Sequence, residues 1–305
     1  MKNIYFIILN YNTTEETKNC IESIRRLDGA EFRKKIVLID NCSKSNSYRE
    51  LEESYCNDRD IFMYRMGENL GFSKANNYGY SVVREMGDAD FCIVCNSDIL
   101  FLQSDFLMRL DQEYEKSHFH ICGPDIYYYK VRQNSMSQRH QSPMYPFGWK
   151  KRYVEAYFLY NELRYKRLCE EKYTVFKEIT VRIRWSYWRC IEKITNKLYY
   201  NYKKKRHENV PLHGSCIIVS SLFLIKEKKL FLPETKFYGE EWLLYLRSKK
   251  NNYKVIYNPE MVVEHLNGRA TAAIKSSKEG DLFRYQNYMI AARTYLEELE
   301  KANIK

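Results

Sequence analysis

Ile4-Tyr5-Phe6-Ile7-Ile8-Leu9 runs without a break into Asn10-Tyr11-Asn12. An unbroken apolar run of strand length suits a strand covered on both faces, and the abrupt polar end marks where such a strand leaves a sheet. The same transition recurs where Ile36–Ile39 meets Asp40-Asn41-Cys42-Ser43 and where Phe91–Cys95 meets Asn96-Ser97-Asp98. Two further runs, Ile61–Tyr64 and Phe119–Cys122, fit the series. Amphipathic stretches separate them. The first carries Cys20, Ile21, Ile24 and Leu27 on one helical face, and Thr13 with Glu16 reads as a capping box at its start. Further helices are expected over Ser45–Cys56, after the polar stretch Glu68–Asn77, and over Asp105–Lys116. Repeated βα units of this kind predict an α/β domain on a mostly parallel sheet, with the polar strand ends gathered in one ligand-binding edge.

Bulk properties agree with one large α/β unit. The 305 residues are 45% hydrophobic, enough for a real core, and contain no apolar run long enough to span a bilayer. The amino-terminal stretch lacks a small-residue cleavage site and reads as a buried first strand, not a signal peptide. Nine cysteines are scattered without regular spacing, and the one close pair, Cys92 and Cys95, lies inside an apolar run. That usage points to reduced thiols and a cytoplasmic setting.

The charge is uneven. Residues 150–206 hold 17 Lys and Arg against 6 Glu and no Asp, which equals the +11 of the whole chain. Residues 131–210 also interrupt the α/β pattern with aromatics, among them Trp149, Tyr153, Tyr157, Phe158, Trp185, Tyr187 and Trp188. The pattern resumes at Cys216–Ser220, followed by a helix at Glu240–Lys249, strands at Lys254–Tyr257 and Met261–Glu264, and a helix from about Asp281 to Leu299. The division expected is an α/β half at 1–130, a basic, aromatic-rich helical insertion at 131–210, and a second half at 211–305.

Three groups can carry chemistry. Asp98, just past an inner strand, is placed to hold a hard cation; a plain turn is the alternative. Glu240 and Glu241 open a helix, where acids interact favourably with the helix dipole and where a carboxylate can also serve as general base. His265 closes a strand and is either an ordinary histidine or a metal ligand.

In order, Ile8-Leu9-Asn10-Tyr11-Asn12, Val37-Leu38-Ile39-Asp40-Asn41-Cys42-Ser43, Glu68 through Gly79, Asn96-Ser97-Asp98, His213-Gly214-Ser215-Cys216, Tyr238-Gly239-Glu240-Glu241 and Tyr253 through Asn258-Pro259 to His265 form a series. It resembles the family 2 glycosyltransferases, especially the rhamnosyltransferase-like branch that builds bacterial surface polysaccharides such as capsule and O-antigen. The likeness runs from residue 3 to about 268 apart from the basic segment. It implies a GT-A fold, a Rossmann-like sheet flanked by helices, and inverting transfer from a nucleoside-diphosphate sugar, dTDP-rhamnose or a UDP-hexose, to a saccharide or lipid-linked saccharide.

By the same resemblance Asp40 reads the nucleobase, while Asn10, Tyr11, Asn12, Asn41, Ser43, Asn69, Gly71, Phe72, Lys74, Asn76, Asn77, Asn96 and Gly214 line the nucleotide-sugar pocket. Asp98 and His265 would hold Mg²⁺ or Mn²⁺, and Glu241 would be the base. The sequence departs from the family at three positions: Ser97 leaves one carboxylate in the metal motif, Ser45 replaces an acid, and Glu241 stands for an aspartate, which keeps Glu240 open as the base. Other readings are a nucleotidyltransferase, which usually carries a glycine-rich loop after its first strand that Asn10–Thr14 lacks, and a non-catalytic binding protein. For residues 150–206 the alternatives are a solvated hairpin, an anionic membrane surface on the inner face of the cell membrane, or nucleic acid; the resemblance favours membrane, so no nucleic acid is expected.

Overall fold

A computed structural model describes residues 1–44, 46–132, 135–144, 150–171, 174–266 and 277–302. Ser45 and Trp149 lie outside the described residues.

The α/β expectation holds. Strands β1 (Lys2–Asn10), β2 (Phe32–Asp40), β3 (Ile61–Arg65) and β4 (Phe91–Asn96) are parallel neighbours in the order β3-β2-β1-β4. The sheet continues through β9 (Cys216–Ser220), β6 (Ile121–Arg132), β10 (Val255–His265) and β5 (Ile99–Leu100). Here β9 runs against both its neighbours, β6 and β10 are parallel to each other, and β5 is antiparallel to β10. Two short strands, β7 (Ser135–His140) and β8 (His207–Glu208), pair with β6 and β10.

The unbroken apolar runs follow from burial on both faces. Ile4, Phe6 and Ile8 of β1 enter one core, and Tyr5 and Ile7 enter the other. Helices α1 (Thr14–Arg25), α2 (Ser47–Tyr55) and α4 (Phe106–Ser117) cover the first core with Ile21, Ile24, Leu51 and Leu110. Helix α3 (Gly71–Met86) covers the second with Tyr80 and Val83, joined by Phe223 of α7 (Ser221–Lys226) and Leu244 of α8 (Glu240–Lys250). Each such side chain contributes about 1.5–3 kcal/mol on burial, so the sheet is held from both sides. Gly79 lets α3 lie close to the sheet, because a Cβ there would meet Ile7 Cγ2 at 2.7 Å.

Three local expectations are corrected. Helix α3 does not follow the polar stretch Glu68–Asn77 but begins inside it, at Gly71. The polar residues are tolerated because they are used internally: Asn77 Nδ2 donates to Phe231 O at 2.8 Å and its Oδ1 accepts from Phe231 N at 2.9 Å. Thr13 does precede α1, but its side chain makes no capping bond. Its hydroxyl donates to Asn10 Oδ1 at 3.1 Å and lies 2.8 Å from Ser97 Oγ. Finally, the two strands expected around Asn258-Pro259 are one strand, β10, with a register shift between Asn258 and Val262. Proline has no N–H to give a ladder, and a bulge accommodates it there.

The 131–210 segment contributes α5 (Lys151–Leu168) and α6 (Val175–Tyr202) after β7. Val154 of α5 packs in a third cluster with Leu243 and Leu246 of α8 and Ala292 and Tyr295 of α9 (Lys278–Lys301). No described helix is long and apolar enough to cross a membrane. All nine cysteines are free, and Cys92 and Cys95 are buried in β4.

Candidate functional site

Strand register assembles the site. The β1–β2 ladder sets Asn10 opposite Asp40, and the β1–β4 ladder sets Leu9 opposite Asn96, so three polar strand ends meet at one edge. Asp40 is 1% exposed. Its Oδ1 accepts from Asn10 Nδ2 at 2.7 Å and Ser43 Oγ at 2.5 Å, and its Oδ2 from Ser43 N at 3.1 Å. Asn12 N donates to Ser43 Oγ at 2.9 Å. These bonds lock the loops after β1 and β2 together. Tyr11 beside them is partly buried, and Asn12 is exposed.

The loop into α3 is built the same way. Asn41 Oδ1 accepts from Leu70 N at 2.9 Å, and Asn69 Oδ1 accepts from Gly71 N at 2.9 Å. Gly71 has φ +77°, and a Cβ there would stand 2.3 Å from Lys236 O, so the close approach of the two loops needs glycine. Phe72 packs against Phe231 with ring centroids 5.5 Å apart, while Lys74 is exposed on the next turn. Asn76 is 1% exposed, and its Oδ1 has no partner among the described residues. A buried acceptor without a partner costs about 1–3 kcal/mol, which a bound donor would recover.

Asp98 and His265 meet through the sheet. The β5–β10 pairing sets His265 opposite Ile99, next to Asp98, and Leu266 N donates to Asp98 O at 2.9 Å. His265 Nε2 then lies 3.1 Å from Asp98 Oδ1. Its Nδ1 donates to Gln141 Oε1 at 2.6 Å, which leaves Nε2 as the ring nitrogen facing the carboxylate. Ligands of an octahedral ion at about 2.1 Å stand about 3 Å from one another, so this pair suits two adjacent positions on Mg²⁺ or Mn²⁺. Among the described residues no group of three or more His, Cys, Asp or Glu could hold a metal. Two protein donors plus phosphate oxygens and water are a usual arrangement for such ions.

The turn 213–215 joins this pair to the acids. His213 and His265 have ring centroids 6.2 Å apart. Asn96 N donates to Ser215 O at 3.0 Å, and Gly214 N donates to Glu241 Oε1 at 3.3 Å. Gly214 permits this approach, since a Cβ would meet both Glu241 Cγ and Oε1 at 2.9 Å. Burial raises both carboxyls at the start of α8: Glu240 goes well above the usual carboxylate value, with repulsion from Glu241 adding to it, and Glu241 is also raised. Glu240 is 7% exposed and faces Thr235 Oγ1 at 3.5 Å. Glu241 is less deeply covered.

Thus Asp98 and His265 touch, Glu241 reaches them through the 213–215 turn, and Asp40 reaches Asp98 through Asn10, Thr13 and Ser97. Asn77 and Phe72 face inward from α3, away from that chain of contacts. Four residues of the neighbourhood are not among the site residues expected from the sequence. Gln141 orients His265 and has no motif to mark it. His213 and Ser215 stood inside a quoted motif; the His213 Nδ1 lies 2.9 Å from Ser215 Oγ, and burial pushes its imidazole down to about 3. Lys203, just past α6, donates to His140 O at 2.5 Å, and burial lowers its ammonium to about 8.

The sequence profile of Glycosyl transferase family 2 matches residues 5–177, more than half of the chain, and the chain belongs to that family. Two solved structures align over almost all of it. One is residues 1–349 of TarS from S. aureus, at 13% identity and TM-score 0.50, covering 97% of this chain and 71% of that one. The other is the mannosyltransferase PcManGT from Pyrobaculum calidifontis in complex with GDP-Man and Mn²⁺, at 10% identity and TM-score 0.52, covering 98% and 73%. At such identities the likeness is one of fold, and the fold is GT-A. TarS in complex with UDP-GlcNAc aligns at 19% identity and TM-score 0.36 over 44% of this chain and only 37% of that chain. No curated protein matches the sequence.

Proposed function

We propose that the chain transfers a sugar from a nucleoside-diphosphate donor to an acceptor hydroxyl, inverting the anomeric centre in one displacement. One observation carries this reading: the Asp98–His265 pair stands beside His213 and the raised carboxyl of Glu241 beside Gly214, adjacent residues of a single turn. One group at a diphosphate and another at a hydroxyl are what the chemistry requires.

Departure of the nucleoside diphosphate develops negative charge on a phosphate oxygen. A divalent ion held by Asp98 and His265 would supply several kcal/mol of charge stabilisation there as a Lewis acid. Gln141 keeps His265 in the tautomer that can ligate. Glu241 takes the acceptor proton, a contribution of about 10²–10⁴-fold, and its raised affinity for protons makes it a stronger base than an exposed carboxylate. The loops built by Asn10, Asn12, Asp40, Asn41, Ser43, Asn69 and Gly71 form the floor for the nucleotide, and Arg65 stands beside it with its Nε 3.8 Å from Asp40 Oδ2. Asn76 Oδ1, Lys74, Tyr11 and Asn96 complete the sugar and phosphate side, while Gly214 holds Glu241 from behind. Phe72 and Asn77 act from behind, by fixing α3.

The rhamnosyltransferase-like motifs favour dTDP-rhamnose or a UDP-hexose as donor and a saccharide or lipid-linked saccharide of a bacterial surface polymer as acceptor. Cation-rich residues 150–206 suit a place on the inner face of the cell membrane. A thermal-shift screen of UDP-, GDP- and dTDP-sugars with and without Mn²⁺ tests the proposal. A Mn²⁺-dependent rise in Tm with one nucleotide class is expected; no shift and no transfer with any of them would remove it.

A further inference from the structure

Helix α6 exposes an apolar stripe that no described residue covers. Of the fourteen large hydrophobic side chains exposed among the described residues, six lie on this one helix. Phe176 is 83% exposed, Ile179 51%, Ile183 66%, Tyr187 61% and Ile194 69%. At about 100° per residue these five fall within an arc of roughly 80°, and the stripe is about 27 Å long. The opposite face is the one that packs. Val181 is buried there, Trp185 stacks on Tyr160 at 5.0 Å, and Trp188 meets Tyr153 at 5.6 Å. The stripe is therefore not a misplaced core face, since the helix has its core contact elsewhere.

Charge placement says what the stripe meets. Arg182, Arg189 and Lys193 are exposed along one flank; on the other Lys177 is exposed and Arg184, half-buried, pairs with Glu155. The only acids of the helix, Glu178 and Glu192, lie toward the packed side, where Glu178 pairs with Arg167 and Arg182 and Glu192 with Arg189. A second copy laid stripe to stripe would set cation rows against cation rows. An apolar band between two basic margins is complementary to acyl chains below anionic headgroups.

We propose that the outer face of α6 docks flat on an anionic lipid surface, with Phe176, Ile179, Ile183, Tyr187 and Ile194 immersed to the headgroup–acyl boundary. Helix α6 ends at Tyr202, and Lys203 bonds the backbone of His140, the residue before Gln141. The docked helix thus ends beside the turn that orients His265. The docking itself is independent of the glycosyl-transfer reading; only the idea that it presents a lipid-linked acceptor to the site rests on that reading.

Vesicle flotation of the full chain tests it, using phosphatidylcholine vesicles with and without phosphatidylglycerol and no sugar nucleotide. The wild type is expected to float with the anionic vesicles. Ile179→Ser/Ile183→Ser/Ile194→Ser and, separately, Arg182→Glu/Lys193→Glu should each lower the bound fraction at least about tenfold while keeping the wild-type circular dichroism and Tm. Absence of wild-type flotation on anionic vesicles, or undiminished flotation of the folded triple variant, would overturn the docking. So would a wild-type dimer in sedimentation that the triple variant converts to monomer, since the stripe would then belong to a second copy. Absence of transfer activity in a wild type that floats would count against the enzyme reading alone.

Discussion

His265 Nε2 lies 3.1 Å from Asp98 Oδ1 across 167 residues of sequence, and Gln141 fixes which nitrogen faces the carboxylate. The third partner matters as much as the pair. Groups that orient a ligating histidine typically contribute about 10–100-fold in metal affinity. Gln141→Leu should therefore weaken Mn²⁺-dependent binding of a nucleoside diphosphate by about that factor, with metal-free binding unchanged. Asp98→Asn should abolish the Mn²⁺-dependent part entirely. Calorimetry with and without Mn²⁺ reads both, and equal Mn²⁺ dependence in wild type and Gln141→Leu would show that Gln141 only fills space.

The two acids of α8 are separable by their surroundings. Glu240 is the more buried and its carboxyl is raised further, in part by Glu241, so it keeps its proton to higher pH. A group that stays protonated is not the base. Glu241→Gln should lower kcat by about 10²–10⁴-fold with donor binding nearly intact. Glu240→Gln, which imitates the protonated carboxyl, should keep most of kcat and leave the acid limb of the pH–rate profile in place. That limb should lie above 4.5, the ordinary glutamate value, because Glu241 must lose its proton and burial opposes the loss. Loss of transfer in Glu240→Gln with activity retained in Glu241→Gln would reverse the assignment.

How far the sequence carries can be seen residue by residue. The strands of the first half are legible because burial on both faces demands unbroken apolar runs, and Ile4 to Ile8 are all fully buried. Asp98, Glu241 and His265 sit where strands or helices start or stop, so periodicity alone puts them at element ends. Gln141 is invisible because its role depends on β7 folding back along β6, which carries the residue just past β7 to His265 at the end of β10. The start of α3 was misplaced for a related reason: Asn76 and Asn77 look like loop residues until their tertiary neighbours are known. Thr13 shows the same competition, its hydroxyl being taken by Asn10 and Ser97 instead of the helix end.

Gly214 offers a test of geometry without a change of charge. A methyl group there would meet Glu241 Cγ and Oε1 at 2.9 Å, closer than carbon and oxygen tolerate without movement. Glu241 must then turn away from Gly214 N, losing a hydrogen bond that now holds it. Gly214→Ala should reduce kcat by about tenfold or more while KM for the donor changes little, as expected when a base is misplaced and binding is not. A proportionate rise in donor KM with unchanged kcat would place Gly214 at the sugar nucleotide and not behind the base.

His213 makes the same turn sensitive to acid. Burial holds its imidazole at about 3 against an ordinary 6.5, with His265 and Lys203 nearby adding to the effect. In the unfolded chain the ring takes a proton near 6.5, whereas in the folded protein it stays neutral to about 3. Between those values the unfolded state binds more protons, so stability falls as the pH falls, by at most about 1.4 kcal/mol per unit from this group. The raised acids Glu240 and Glu241 act in the opposite sense, gaining protons on folding and favouring the folded state at low pH. The comparison that isolates His213 is therefore between wild type and His213→Asn, which keeps a polar side chain but cannot titrate. Unfolding free energies measured by urea denaturation at several pH values from 7 to 4 should converge as the pH drops, the wild type losing its advantage below 6.5. Parallel curves would mean that the ring is protonated in the folded state and that the turn tolerates a cation beside His265.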